Sequence, residues 1–443
     1  MPRTTKKTTT PIEKQTIPTV PESEWPYQVP ENWRWVYGKS FLKPMEVKRP
    51  SGEFFKYIDI DSIDNKQQIV SEPKIVSTKD APSRASRALH TGDTVFSMVR
   101  PYLKNIAYID ESMADSIAST GFYVCSPVHS VNPRYSYYMM VSPYVIDGLN
   151  AFMKGDNSPS IRKDDLENYP FPLPPLAEQQ RIVDRIERLF AKLDEAREKA
   201  QAVVDGFENR KAAILHKAFT GELTRKWRED RGIGMEGWEH HKFSELCDIV
   251  RGGSPRPAGD PTYYGGNIPF MKVADITNNN SPYVHHVEYT IKEAGLKKTR
   301  MVEANTLLLT NSGATLGVPA ISTFRTTFND GIAAFLNLDA SCLMFYWYFW
   351  TSKTKDLRAI NMGAAQPNLN TNIIGSIEID VPTVNEQKEI ITILNNLFSQ
   401  ERRARDLAES VIAQIDGMKK SILARAFRGE LGTNDPSESA CEG

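Results

Sequence analysis

Two short loops rich in arginine, asparagine, lysine and hydroxyl side chains are the segments of this sequence best suited to recognising a nucleic acid. They run from Arg251 to Arg256 (RGGSPR) and from Arg100 to Asn105 (RPYLKN). Arginine can donate two hydrogen bonds to guanine and asparagine can make two to adenine, whereas lysine more often contacts phosphate. The candidate DNA-contacting residues are Lys48, Arg49, Arg100, Tyr102, Lys104, Asn105, Arg251, Ser254, Arg256, Lys272, Asn311, Ser312 and Thr315.

For any single one of these residues, the alternative is an ordinary surface loop. Glycines accompany the candidates in the second half of the chain. Gly252 and Gly253 would let their loop approach a groove closely, and Gly313 and Gly317 are expected to keep the backbone near Asn311 flexible.

No catalytic signature accompanies these loops. A phosphate-binding GxxxxGK[ST] motif is missing from the sequence. The string GIGMEG at residues 232–237 fits GxGxxG by letter, but it follows a charged run rather than a strand, so we interpret it as a linker. The paired histidines at 240–241 and 285–286 make poor chelating pairs, because neighbours on a strand point to opposite faces. The sequence therefore predicts a non-enzymatic chain with no metal site.

Composition places the chain among soluble globular proteins. It has 443 residues, 40% hydrophobic and 25% charged, which is enough for two or three domains. Its four cysteines show no CxxC spacing, and neither a secretory signal nor an apolar run long enough to span a bilayer is present. We expect a cytoplasmic protein. The net charge of −1 counts against a DNA binder that acts alone, so partner subunits would supply part of the phosphate contact, or the basic residues share one face.

An internal repeat is the main signal. The segment PPLAEQQRIV…AFTGEL begins at Pro174, and PTVNEQKEII…AFRGEL begins at Pro382, 208 positions later. No gap is needed across the block, and 18 of its 50 aligned positions are identical. Each copy reads as a long helix ending at a glycine, Gly221 or Gly429, as a C-terminal cap would. The first, taken as one uninterrupted helix, would be about 63 Å long.

Apolar residues recur in each copy at alternating steps of four and three, which is typical of a coiled-coil seam. The alternative is that the two helices merely join domains. If they pack on each other, we expect an antiparallel coiled coil with Glu401 as a polar interruption of its seam. The predicted packing residues are Ile182, Ile186, Leu189, Leu193, Val203, Phe207, Ile390, Leu394, Leu397, Val411 and Ile415.

About 150 residues precede each helix, and these stretches also correspond. Both open near tryptophan, and each continues with a β-rich stretch, FFKYIDIDSID from Phe54 and IPFMKVADITN from Ile268. The pattern predicts a mixed α/β fold with two pseudo-repeated globular modules, each followed by a long helix. The predicted segments are a disordered tail at 1–24, modules at 25–173 and 233–381, helical regions at 174–232 and 382–431, and a tail at 432–443.

This arrangement resembles the specificity subunit of type I restriction–modification enzymes over roughly Trp25 to Leu431. The paired helix motifs carry the resemblance. The loops TGDTVFSMVRPYL and TNSGATLGVPA support it, as does GAAQPNLN from Gly363.

The resemblance implies two target-recognition domains that each read one half of a split, asymmetric DNA sequence. The helices would space the half-sites and help bind two methyltransferase subunits, with restriction and translocase subunits added. S-adenosylmethionine, ATP and Mg²⁺ would be held by those partners and none by this chain. A scaffold protein without DNA contact is the alternative, which the near-neutral charge favours; a self-sufficient restriction enzyme would need motifs that are missing here.

Overall fold

The computed structural model describes residues 18–360 and 369–438 of the chain and divides them into two units. The first unit contains residues up to Ala200 and those from Ser410 onward; the second contains Gln201–Glu409. Each unit therefore holds one predicted module, the beginning of one long helix and the end of the other. Most of the GAAQPNLN string lies outside the described residues.

In the first unit, short strands form sheets in the orders β5-β2-β9-β6, β10-β7-β8, β1-β11 and β3-β4. The strands are β1 Arg34–Tyr37, β2 Phe54–Ile58, β3 Ile63–Asp64, β4 Ile69–Val70, β5 Lys74–Ser77, β6 Ala85–Ala88, β7 Thr94–Ser97, β8 Ile106–Tyr108, β9 Ile117–Ser119, β10 Phe122–Cys125 and β11 Pro170–Leu173. The helices are α1 Gly38–Phe41, α2 Pro133–Met140, α3 Pro143–Asn150, α4 Lys163–Glu167 and α5 Leu176–Asp205.

In the second unit, the sheet orders are β16-β14-β20-β17, β13-β21-β18-β19-β15 and β12-β22. The strands are β12 Glu239–Lys242, β13 Asp248–Arg251, β14 Tyr264–Met271, β15 Tyr283–Val284, β16 Thr290–Ile291, β17 Arg300–Val302, β18 Thr306–Thr310, β19 Pro319–Ser322, β20 Thr326–Phe328, β21 Ile332–Leu336 and β22 Glu378–Val381. The helices are α6 Phe207–Phe219, α7 Arg225–Glu229, α8 Phe243–Leu246, α9 Val273–Thr277, α10 Glu293–Leu296, α11 Leu343–Ile360, α12 Thr371–Gly375 and α13 Val384–Phe427.

The two modules share one strand framework. In each, a four-stranded sheet contains a single parallel pair, β2 with β9 in the first and β14 with β20 in the second. Antiparallel neighbours flank that pair in the same order, and a meander follows the same pattern in both, β10-β7-β8 and β21-β18-β19. The prediction of a mixed α/β fold built from two related modules is confirmed.

A hydrophobic core in each unit joins the module to both long helices. In the first, Trp33, Phe41 and Tyr135 pack in one buried cluster with Ile182 of α5 and Phe427 of α13. Helix α2 is held at its start by Asn132, whose side chain accepts from the backbone N–H groups of Arg134 and Tyr135.

The second core follows the same plan. Phe243, Phe335 and Trp350 pack with Leu215 of α6 and Ile390 of α13. The apolar face at the start of each long helix is thus buried by its own module, and this burial fixes where each module lies on its helix.

The first long helix has a local distortion at Gly206, but its backbone hydrogen bonds continue through that residue, as in the single rod expected from Glu178 to Phe219: the N–H of Gly206 donates to the carbonyl of Ala202, and its carbonyl accepts from the N–H of Arg210, both at 3.0 Å. Helix α5 ends at Asp205 and α6 begins at Phe207, with Gly206 between them. A Cβ at Gly206 would collide with the guanidinium of Arg210, which donates instead to the carbonyl of Val203 at 2.8 Å. Glycine also has a low helix propensity, so the distortion falls there. Helix α13 runs unbroken for 44 residues.

Most predicted packing residues are buried or half-buried, but Val411 is not. The buried set comprises Ile182, Ile186, Phe207, Ile390, Leu394 and Ile415, and the half-buried set Leu189, Leu193, Val203 and Leu397. Val411 is 36% exposed, so its prediction is wrong. The less exposed positions beyond Glu401 are Arg405, Ala408, Ile412 and Ile415. The predicted seam positions and these less exposed positions both recur at steps of four and three. Sequence spacing alone therefore does not choose between the two registers.

The glutamate of each helix-start motif is buried and receives hydrogen bonds from a segment that follows a helix end. Glu178 accepts from the Thr433 hydroxyl at 2.8 Å and the backbone N–H of Asn434 at 3.0 Å. Glu386 accepts from the Thr224 hydroxyl at 2.6 Å and from Arg228 at 2.5 Å. The repeated Glu is therefore structural: it ties each helix start to the chain after a Gly-Glu-Leu turn.

The N-terminal segment is more ordered than expected. Residues 1–17 and 439–443 lie outside the described part. Residues 18–24, assigned above to a disordered tail, belong to the first unit, because the N–H of Val20 donates to the carbonyl of Trp35 at 2.8 Å and Val20 is buried. The segment 432–438 likewise packs on the first unit through Asn434. Within the described residues, no helix combines the length and apolarity needed to cross a membrane.

Candidate nucleic-acid interface

The carboxylate and carbonyl of Asp330 organise the loop from Arg251 to Arg256. Ser254 Oγ donates to Asp330 Oδ1 at 2.7 Å, and Arg251 Nε donates to the Asp330 carbonyl at 2.6 Å. The Arg256 guanidinium lies 3.6 Å from Asp330 Oδ2, and its side chain is 75% exposed. The loop is fixed on the turn between β20 and β21, and both of its arginines, Arg251 and Arg256, are exposed.

The glycines serve defined conformations rather than the flexibility expected of them. A Cβ at Gly252 would collide with the carbonyl oxygen of Asn329, and one at Gly253 with that of Lys298. Gly313 and Gly317 have φ of 78° and 81°, a left-handed region that favours glycine. Close packing and turn geometry therefore explain their positions.

Lys272 lies at the end of β14 in a cleft beside this loop. Its Nζ is 3.0 Å from the centroid of the Tyr289 ring, and its backbone N–H donates to Asp275 Oδ2 at 2.7 Å. The Tyr264 hydroxyl donates to the Pro255 carbonyl at 2.9 Å, and burial raises the pKa of Tyr264, which stays protonated. Side chains lining the cleft include Ser254, Arg256, Tyr264, Lys272, Tyr289 and Asp330.

The third candidate group of the second module is only partly accessible. Asn311 is fully buried at the end of β18, so the prediction that its amide contacts DNA is wrong. Its backbone N–H donates to the carbonyl of Gly331, which anchors the loop and turns the side chain inward. Ser312 is half-buried and Thr315 is exposed. Because Gly331 follows Asp330, the Arg251–Arg256 loop and the loop after β18 both contact the turn between β20 and β21.

The matching loop of the first module has an exposed tip. Arg100 and Lys104 both adopt left-handed φ, 49° and 58°, on either side of the turn Pro101–Leu103. Such φ is costly for residues other than glycine and tends to mark functional sites. Arg100 Nη2 donates to the Asn157 carbonyl at 2.7 Å, which turns this guanidinium back onto the module. Tyr102 is 44% exposed at the tip.

Asn105 is a second correction. It is 6% exposed, and its carbonyl accepts from the N–H of Ser97 across the β7–β8 hairpin. The backbone pairing of the two strands buries this residue, so its amide is not presented to a groove. Sequence composition marks a polar loop but does not show which residue closes the hairpin.

Lys48 contacts residues outside the Arg100 loop. Lys48 Nζ is 3.6 Å from Asp115 Oδ1, and its backbone N–H donates to the carbonyl of Ser86. Arg49 is exposed. The structure thus brings Arg251, Ser254 and Arg256 together with Lys272 in the second module, but shows no equivalent gathering of Lys48 and Arg100 in the first.

Tyr289 and Asp330 were missed by sequence reasoning. Each becomes important only through strand pairing, which places Tyr289 beside Phe270 and Asp330 beside the Arg251 loop. The one signal was the acidic residue between β20 and β21, at the step FNDG. Short motifs could not have found Tyr289.

Within the described ranges, no cluster of three or more His, Cys, Asp or Glu side chains could hold a metal ion. Each of the paired histidines 240–241 lies beside two carboxylates, Glu378 and Asp380 for His240, and Glu239 and Glu245 for His241. His240 Nδ1 lies 2.7 Å from Asp380 Oδ1, and hydrogen bonding to this carboxylate raises the pKa of His240. His241 Nε2 lies 3.3 Å from Glu239 Oε2.

Comparison with known proteins matches both modules. A family model described as the type I restriction modification DNA specificity domain covers residues 38–203 and 235–407. The specificity subunit of the type I restriction enzyme HindI from Haemophilus influenzae is 23% identical over 425 residues, which cover 81% of this chain and 90% of that protein.

Two solved structures agree with the match. The HsdS subunit from Thermoanaerobacter tengcongensis is 26% identical with a TM-score of 0.67, over 92% of this chain and 100% of that one. A chain solved in work on complex assembly and conformational transition of the type I R-M system is 26% identical with a TM-score of 0.69, over 91% of this chain and 100% of that one. Because the family model matches more than half of the residues, once in each module, the chain belongs to the family of type I restriction–modification DNA specificity proteins.

Proposed function

We propose that this chain is the sequence-reading, non-catalytic subunit of a type I restriction–modification complex and that each module reads one half of a split DNA target. One observation carries the proposal: a shared strand framework presents unlike side chains at equivalent loops. The β7–β8 loop offers Tyr102 and Lys104, whereas the β18–β19 loop offers Ser312 and Thr315. Different donors and acceptors on one scaffold suit two different base sequences.

The long helices would act as an antiparallel coiled coil that spaces the half-sites. Contacts inside each unit support this arrangement. In the first unit, Lys419 Nζ donates to Asp194 at 2.5 Å and Arg197 pairs with Asp416. In the second, Arg210 Nε donates to Glu401 at 2.8 Å, and Arg405 lies over the Phe207 ring. Residue numbers fall along one helix as they rise along the other. Glu401 accordingly accepts a hydrogen bond at the polar interruption of the seam.

Partner docking would use the outer surface of α13. Leu407 is 66% exposed, and Val411 and Met418 are also exposed at steps of four and seven, which places them on one stripe beside the buried one. Exposed apolar stripes of this kind typically mark protein contacts. We assign this stripe to two methyltransferase subunits, with restriction and translocase subunits joining the complex. S-adenosylmethionine, ATP and Mg²⁺ would be bound by those partners.

Methylome sequencing of cells with and without the gene tests the proposal. We expect one split, adenine-methylated motif to disappear on deletion and to return when the gene is restored. If every methylated motif survives the deletion, the chain does not direct methylation.

The net charge of −1 favours a second candidate, a scaffold without DNA contact. A gel shift of the reconstituted complex with Arg256→Glu separates the two. Arg325→Glu is a matched control, since Arg325 is another exposed arginine and pairs with Glu303. Weaker binding by the Arg256 variant alone supports DNA reading, whereas equal binding by both variants and the unaltered complex supports the scaffold.

A further inference from the structure

One position of the shared framework carries different chemistry in the two modules. In the parallel pairs, Ile58 is opposite Ala118 and Met271 is opposite Phe328. Asp59 and Lys272, each the next residue after its strand, therefore occupy the same place. The neighbouring strand supplies the second member of each pair. Lys74 is opposite Tyr57 in the first module, and the carbonyl of Tyr289 accepts from the N–H of Phe270 in the second.

In the first module the lysine of this pair is already ion-paired. Lys74 Nζ lies 2.5 Å from Asp59 Oδ2 and 3.7 Å from Asp61 Oδ2. Two carboxylates thus surround one ammonium group, which leaves the site with a net negative charge. A phosphate or an electronegative base edge gains little there, because Lys74 already has its partners.

In the second module the lysine is held without being neutralised. Lys272 Nζ packs on the face of Tyr289, an interaction that orients the cation and leaves its charge and N–H donors available. Among the described residues, no carboxylate lies within 4.0 Å of this nitrogen. Two acidic residues line the cleft, Glu288 and Asp330, and Asp330 is occupied by Ser254 and Arg256.

Lys272 is also fixed at its backbone. Its N–H donates to Asp275 at the start of α9, so the side chain leaves the strand end in a set direction. Arg256 lines the same cleft. The second module therefore presents two basic groups in one concave surface, where the first has an internal ion pair.

We propose that Lys272, positioned by the Tyr289 ring, contacts an acceptor atom of the target DNA in the second half-site, and that Lys74 makes no equivalent contact in the first. The inference rests on the proposed function and deepens it. The acceptor is a phosphate oxygen or the edge of a guanine base. Both accept hydrogen bonds from an ammonium group.

The test compares Lys272→Met with Lys74→Met, its matched control at the equivalent position, in the complex reconstituted with its methyltransferase subunits. Binding is measured on a duplex carrying the methylated motif found in the methylome and on a scrambled duplex, over a range of salt concentrations. We expect Lys272→Met to lower affinity about tenfold. Lys74→Met should leave affinity unchanged, and Lys272→Arg should retain most of the binding.

Two patterns of loss support the proposal and identify the acceptor. A phosphate contact predicts equal weakening on both duplexes and a salt slope shallower by about 0.9. A base contact predicts loss on the motif duplex alone and a methylome relaxed at one base of one half-site. Tyr289→Leu should weaken binding in the same pattern but less, whereas Tyr289→Phe should not, because its ring is kept.

Two results would overturn the proposal: unchanged binding, slope and motif for Lys272→Met, or an equal loss for Lys74→Met. These are distinct from failure of the proposed function. If the unaltered complex neither prefers nor methylates any motif, the function itself is wrong. If the unaltered complex prefers and methylates a motif, and the Lys272→Met variant binds and methylates in the same way, only this inference fails.

Discussion

Asp330 shows how one exposed carboxylate can set the geometry of the loop from Arg251 to Arg256. It receives Ser254 through one oxygen, faces Arg256 with the other and accepts Arg251 at its carbonyl. Because arginine side chains have many rotamers, fixing their loop lowers the entropy lost on binding DNA. Under the proposed function, Asp330 would thereby influence sequence recognition through the geometry of the loop.

We predict that Asp330→Ala weakens DNA binding by the complex about fivefold to tenfold and relaxes only one half of the methylated motif. The melting temperature should change little, since the Asp330 side chain is 42% exposed. Gel shift and methylome sequencing measure the effect. Asp330→Asn is the matched control. It keeps an acceptor for Ser254, so its affinity for DNA should fall between those of the unaltered complex and the Asp330→Ala variant. Relaxation of both halves would contradict this role.

Among the elements, the starts of the long helices depend most on buried polar contacts. Glu178 is fully buried, and Glu386 is 2% exposed. Burial alone would raise the pKa of Glu178, but the Asn434 N–H, the Thr433 hydroxyl and Arg181 together lower it below the usual value of 4.5. The contacts of the folded first unit therefore favour the ionised form of Glu178.

This lowered pKa predicts an acid-dependent stability. A carboxyl whose folded pKa lies below its unfolded value stabilises the fold above the unfolded pKa, and the contribution is lost as the pH falls through the folded one. We expect Glu178→Gln to lower the melting temperature at pH 7 and the difference from the unaltered chain to shrink below about pH 4.5. Thermal melts across pH measure it. Glu222→Gln, at an exposed pair with Lys217, is the control and should have little effect. A pH-independent difference would contradict the assignment.

For the whole molecule, assembly should depend on the outer stripe of α13. We predict that Leu407→Glu leaves the melting temperature nearly unchanged but prevents the chain from retaining methyltransferase subunits in size-exclusion chromatography. The physical reason is that a charge buried in an apolar contact without a partner costs several kcal/mol. Ala413→Glu, exposed on another face of the same helix, is the control. Retention by both variants would place the docking surface elsewhere.

The duplicated plan and the two long helices could be predicted from sequence, because a gap-free repeat and heptad-like spacing are local patterns. The side chains of the interface could not. Asn105 and Asn311 look like recognition residues by composition, yet strand pairing buries both. Val411 fits one register of alternating steps while the helix uses another. The pairing of Lys272 with Tyr289 depends on which strands are neighbours.

The hydrogen bonds of the two buried glutamates also bear on the connectivity of the chain. Thr224 and Arg228, in the link between the modules, do for Glu386 what Thr433 and Asn434, near the chain's end, do for Glu178. Asn434 also accepts a hydrogen bond from Trp33 Nε1 at 3.1 Å. Each buried glutamate is thus held by the segment that follows the Gly-Glu-Leu turn of the other repeat. These hydrogen bonds do not themselves require the first module to precede the second along the chain.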